Sequence, residues 1–293
     1  MKFLSPILLS LVLTQSIFAQ SKKEITVVSA HAQVQQVNRE GMQVTIELEE
    51  KFVAKTWLQK MKTFGKVESD KNSYVIHGAS IPDVSSSCTL YSTVFATKSG
   101  TVVFWAIDLG SAYVTQGHEH YEKAKKKLHS YAKEIYIADV NIQIASAEDA
   151  LNTSAKNQEK LAKQGESLKN ALQKNEKDKL DLEAKLVENG NEFRRLESEE
   201  IRVEGRMKEV KATENYEEQQ KLIKESSSIT TNIEKNKQQK ISLENKLSEN
   251  GSDHSKLESD IKTNASNKSS ADDEVAKMSK ALDVVKDKLK AYQ

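Results

Sequence analysis

The chain has 293 residues, 30% of them charged, with 44 basic side chains against 43 acidic. So even a balance lacks the basic surplus of a nucleic-acid binder or of a protein held electrostatically on an anionic membrane. A single cysteine, Cys88, rules out an intramolecular disulfide framework, so any folded domain must stand on its apolar core.

Residues 1–19 read as a secretory signal peptide. Lys2 supplies the positive start, Phe3 to Phe18 is mostly apolar, and Ile17 and Ala19 fit a cleavage site before Gln20. Removing Lys2 leaves a formally neutral chain. The expected location is outside the bacterial cytoplasm, in the periplasm or secreted, with no membrane-spanning segment after cleavage.

Residues 20–136 hold both tryptophans and most other aromatics, enough for one small α+β domain. A first strand is expected over 24–38, followed by a turn at Arg39-Glu40-Gly41. Met42, Val44, Ile46 and Leu48 then alternate with polar residues, the period of a half-buried strand. Phe52, Val53, Trp57, Met61 and Phe64 share one helical face, and Gly65 is a stop. A third strand begins at Tyr74–Ile76, and Cys88, Leu90, Val94 and Ala96 mark a fourth. Lys98-Ser99-Gly100 turns the chain into a fifth, carrying Val103, Trp105, Ile107 and Leu109. A helix with Tyr121, Ala124, Leu128, Tyr131, Ala132 and Ile135 closes the domain. The order is ββαβββα, an antiparallel sheet with helices on one face.

From 137 to 293 the pattern changes to a heptad seam, the narrow apolar stripe along which one helix packs on another. In the first run, from Ile137 to Val210, 15 of 22 seam positions are apolar, and the second run, from Leu222 to Tyr292, is similar. The residues expected to carry the pairing are Leu161, Leu168, Leu172, Leu182, Leu186, Phe193 and Leu196 in the first. In the second they are Leu243, Leu247, Leu257, Ile261, Leu282 and Leu289. Asn175, Asn189, Asn236, Asn250 and Asn264 fall at one kind of seam position, where a buried amide lowers stability but fixes register.

Residues 158–199 align without gaps on residues 219–260, with 18 of 42 positions identical, which marks an internal duplication. The heptad frame breaks between Val210 and Leu222, so a reversal is expected near 211–221; the alternative is one skipped residue in a continuous helix, which would require a partner chain. An antiparallel hairpin then lets each arm bury its seam within the chain. The stretch VKATENYEEQQKLI at 210–223 resembles the segment beside the hairpin of coiled-coil proteins that end in a zinc ribbon, which adds to that reading; the ribbon's paired cysteines are absent here. Two signals compete with the hairpin. Asn189-Gly190 and Asn250-Gly251 resemble helix stops and would cut the arms into a shorter bundle, and Ser270 resembles a fresh N-cap.

Chemistry is sparse. His118 and His120 are the one pair that invites a metal, without a third ligand at recognisable spacing. Cys88 lies in an alternating apolar run and reads as a buried thiol. Tyr113 follows Gly110-Ser111 near a strand end, and Asn152-Thr153-Ser154 fits a glycosylation sequon in helical context. No nucleophile elbow, phosphate loop or dinucleotide fingerprint occurs. The expected function is therefore non-catalytic and needs no cofactor: an exported interaction or scaffold protein whose head docks and whose rod spaces or binds helices. Its partner is another protein or a second copy, not nucleic acid. A periplasmic chaperone-like client holder and an enzyme with an unrecognised site in the head are the alternatives.

Overall fold

A computed structural model describes residues 23–212 and 215–293. The predicted signal peptide lies outside the described residues. The elements run β1 (Val27–Val34), β2 (Val37–Ile46), α1 (Glu50–Met61), β3 (Glu68–Asp70), β4 (Ser73–Ile81), β5 (Ser85–Thr97), β6 (Gly100–Asp108), α2 (Tyr121–Lys211) and α3 (Tyr216–Tyr292). They form two compact units. One comprises the described residues up to Asn152 together with Ala276–Gln293, and the other is Thr153–Val275.

The first unit is built on a six-stranded antiparallel sheet in the order β1-β2-β6-β5-β4-β3. The expected order ββαβββα lacks one strand. β3 is only three residues long and exposed throughout, so it carries no apolar alternation to read. A second correction concerns the first hairpin. The expected long strand over 24–38 is interrupted at Gln35 and Gln36, with φ of 52° and 64°, between the paired Val34 and Val37. Two consecutive positive φ values make the tight turn whose twist suits a two-residue hairpin. Arg39-Glu40-Gly41, expected as the turn, instead lies inside β2. Gly41 is required there because a Cβ would run into the backbone oxygen of Trp105 and lie 2.9 Å from Cα of Ala106.

β6 is central and buried on both faces. Val103, Trp105 and Ile107 join the main core with Val53, Trp57 and Met61 of α1 and Tyr121, Leu128, Tyr131 and Ile135 of α2. Phe104 and Ala106 point the other way, into a smaller cluster with Val34 and Val75. Trp57 and Trp105 meet edge to face, 6.1 Å between centroids, an arrangement that suits the aromatic quadrupole. The Trp57 indole N–H donates to Ser92 Oγ at 2.8 Å, and Ser92 in turn donates to the Phe104 carbonyl at 2.5 Å. A buried hydroxyl is thereby satisfied inside an apolar layer.

The end of α3 completes this core. Val285 is fully buried, and Tyr292 stacks on Tyr136 with 5.4 Å between centroids and 10° between planes. The Tyr292 hydroxyl accepts from the Lys23 backbone N–H at 3.1 Å, and the Tyr136 hydroxyl from that of Glu47 at 2.8 Å.

The second unit is two antiparallel helical arms, α2 from Thr153 and α3 up to Val275. α2 ends at Lys211 and α3 begins at Tyr216, inside the segment where the heptads break. The Asn-Gly pairs do not stop either helix, and α3 runs through Ser270 without a fresh start. A helical glycine costs roughly 1 kcal/mol, and burial along a continuous seam outweighs it.

Candidate functional site: the seam between the helical arms

The seam is most tightly packed beside the reversal. Leu196, Val203, Leu222, Ile229 and Ile233 form a buried cluster, with Phe193, Met207 and Val210 against it. Farther from the reversal, Leu161, Leu168, Leu172, Leu182, Leu186, Leu243, Leu247, Leu257 and Ile261 are half-buried. Leu282 and Leu289, read as seam from their spacing, belong to the unit that holds the sheet. Leu282 is buried there and Leu289 packs against the main core.

Four of the five asparagines meet in two layers. The Asn175 amide donates to the Asn250 backbone carbonyl at 3.0 Å, and the Asn250 amide donates back to the Asn175 carbonyl at 3.0 Å. Asn189 and Asn236 do the same at 3.1 Å each way. Asn189 and Asn236 are 8% and 5% exposed, so these are interior bonds. The fifth, Asn264, lies beside Gly165, where a Cβ would stand 2.8 Å from Asn264 Oδ1.

These layers specify register. Going up α2, the seam reads Leu168, Asn175, Leu182, Asn189, Leu196; going down α3 it reads Leu257, Asn250, Leu243, Asn236, Ile229. In the observed register each asparagine faces an asparagine. A one-heptad slip sets every asparagine in this stretch against an aliphatic side chain that stands where the second amide lies. Such a slip mixes polar and apolar groups in every layer, and a buried amide that loses its partner costs about 1–3 kcal/mol.

Polar contacts between the arms reinforce the pairing. Arg206 meets Glu218 at 2.6 Å, and Gln158 donates to Asp272 at 2.8 Å. Hydrogen bonds from Lys268 and Gln158 hold the Asp272 carboxyl below its usual range.

The remaining candidate residues lie in the unit that holds the sheet. His118 Nδ1 accepts the His120 backbone N–H at 3.1 Å, just before α2 begins, and the two rings lie 5.5 Å apart. Among the described residues no group of three or more His, Cys, Asp or Glu side chains is placed to hold a metal ion. Cys88 is buried in β5 and its thiol is pushed up to about 11 by desolvation. A thiol so protonated at neutral pH is a poor nucleophile. Tyr113 is engaged by Arg39, whose guanidinium donates to its hydroxyl at 2.6 Å while lying 3.3 Å from the centroid of the Tyr91 ring. Spacing did not reveal this trio, because Arg39 looked like a turn residue. Asn152 lies within α2.

No protein-family model, curated protein or solved structure matches the chain. Among the described residues no helix is long and apolar enough to cross a membrane.

Proposed function

We propose that this chain is a non-catalytic, exported interaction protein, in which the sheet-bearing unit docks on a protein partner and the helical unit spaces or binds helices. The observation that carries the reading is the reciprocal asparagine pairing. It locks each arm to the other and occupies the seam within one chain, leaving a self-contained helical arm. At 1.5 Å per residue, the stretch 153–211 spans about 90 Å, a length suited to holding partners apart. The location is periplasmic or secreted, as the N-terminal sequence implies.

Photo-crosslinking in the producing cell tests this reading. A photoreactive residue is placed at exposed Val37, on the first hairpin, or at exposed Tyr216, at the start of α3. The expected result is a discrete protein adduct from at least one position, on a product that begins at Gln20. A client holder would instead give a smear of many adducts. No adduct from either position, or a product that remains in the cytoplasm, refutes the reading.

A further inference from the structure

The duplication and the hairpin share one symmetry. Residues 158–199 correspond to 219–260, so Asn175 is the counterpart of Asn236 and Asn189 that of Asn250. The hydrogen bonds join Asn175 to Asn250 and Asn189 to Asn236. Exchanging each residue for its counterpart turns the first pair into the second. Leu182 lies midway between the asparagines of α2, Leu243 lies midway between those of α3, and these two are counterparts of each other. A two-fold axis therefore crosses the seam at Leu182 and Leu243. The surface repeats as well: Lys179 lies 3.8 Å from Glu183, and their counterparts Lys240 and Glu244 lie 3.7 Å apart.

An antiparallel pair whose halves carry one sequence about a two-fold axis is what a helix forms with itself. We infer that α2 is self-complementary over 158–199, so that the surface it presents to α3 is also a docking surface for α2 of a second copy of this chain. The two copies run antiparallel, with Asn175 opposite Asn189 of the second copy and Leu182 opposite its own equivalent. Leu168 then faces Leu196, and Leu161 faces Val203, so the layers at the asparagine-bearing seam position match like with like.

Charge selects α2 as the self-pairing arm. Asp178 shares a groove with Lys246, the counterpart of Lys185. Lys185 shares the matching groove with Gln239, the counterpart of Asp178. The hairpin thus sets one lysine against an aspartate and the other against a glutamine, whereas α2 against α2 sets Asp178 against Lys185 twice. Pairing α3 with α3 places two glutamines opposite two lysines. In the closed hairpin, α3 competes with the second copy through its high local concentration, set by the short connection from Lys211 to Tyr216. The inference holds whatever the sheet-bearing unit docks to.

Two full-length variants test it. The first disables α3 with Leu243→Lys and Leu247→Lys and carries one added cysteine, at Leu182→Cys or at Leu168→Cys, with Cys88 buried as in the native chain. The expected product is a dimer by light scattering that forms an interchain disulfide through position 182, at least roughly tenfold faster than through 168, because only 182 faces itself. A monomer, a loss of α2 helix, or equal crosslinking at the two positions overturns the inference. The second variant replaces residues 219–260 by another copy of 158–199. A monomer with native helix content is expected; a chain that loses the helical unit overturns self-complementarity regardless of the first result.

Discussion

Replacing both members of one asparagine layer, Asn189→Leu with Asn236→Leu, is expected to make the protein more stable and less specific. The native layer holds two hydrogen bonds of 3.1 Å between residues 8% and 5% exposed. Each bond contributes a net of about 0.5–1.5 kcal/mol, so about 1–3 kcal/mol is lost. The two accepting carbonyls remain bonded within their helices, so no backbone group is orphaned. Burying a leucine side chain contributes about 1.5–3 kcal/mol, hence about 3–6 kcal/mol for the two. The balance favours the double variant by about 0–5 kcal/mol, with a midpoint of about 2.5 kcal/mol. Each single exchange leaves one amide facing an isobutyl group, and the coupling in a double-mutant cycle is expected to be about 2 kcal/mol in favour of matched pairs. Chemical denaturation followed by circular dichroism at 222 nm measures the stabilities, and disulfide trapping between one cysteine placed on each arm reads the loss of a single register as crosslinks in more than one register. A double variant less stable than the native chain would refute the reasoning, because the asparagines would then be stabilising contacts and not register markers.

Gly41→Ala is expected to destabilise the sheet-bearing unit by about 3 kcal/mol, because the added Cβ runs into the Trp105 backbone between two central strands; near-UV dichroism from Trp57 and Trp105 reports it. The half-buried Asp139 carboxyl is held above its usual range by desolvation, which outweighs the hydrogen bond from Gln143 and the charge of Lys288. The folded state therefore binds this proton more tightly than the unfolded chain, and the group's contribution falls as pH rises from the unfolded value through the folded one. Asp139→Asn is expected to raise the thermal midpoint at pH 7 and to leave it unchanged near pH 3, where both forms are neutral; an equal shift at both pH values would contradict this. At pH 8 the Cys88 thiol, pushed up to about 11, is expected to react with a disulfide reagent on the order of a hundredfold more slowly than in urea-unfolded chain. Equal rates would mean that β5 opens readily.

The heptad seam was legible because α2 and α3 bury a stripe narrow enough to leave a period in the sequence, and the asparagines stood out by sharing one seam position. What stayed hidden followed from long-range packing. Nothing in Gln35-Gln36 announces a turn, since neither residue favours positive φ; the pairing of Val34 with Val37 imposes it. Gly41 looked like punctuation, yet the approach of Trp105 is what requires it. β3 has no apolar residue to alternate. The Asn-Gly pairs are genuine local stop signals overruled by the opposite arm, which a reading along one strand of sequence does not see. For the same reason, Leu282 and Leu289 kept the seam's spacing while packing in the other unit.

The stacking of Tyr292 on Tyr136 and the burial of Val285 have a consequence for synthesis. Tyr292 and Val285 are made well over a hundred residues after their partners in the chain. The N-terminal sheet must wait for them with part of its apolar face open, since a core closed by contacts this distant in sequence completes late. A chain that stays incompletely folded until residues 285–292 are made is one that can still be threaded through a narrow channel.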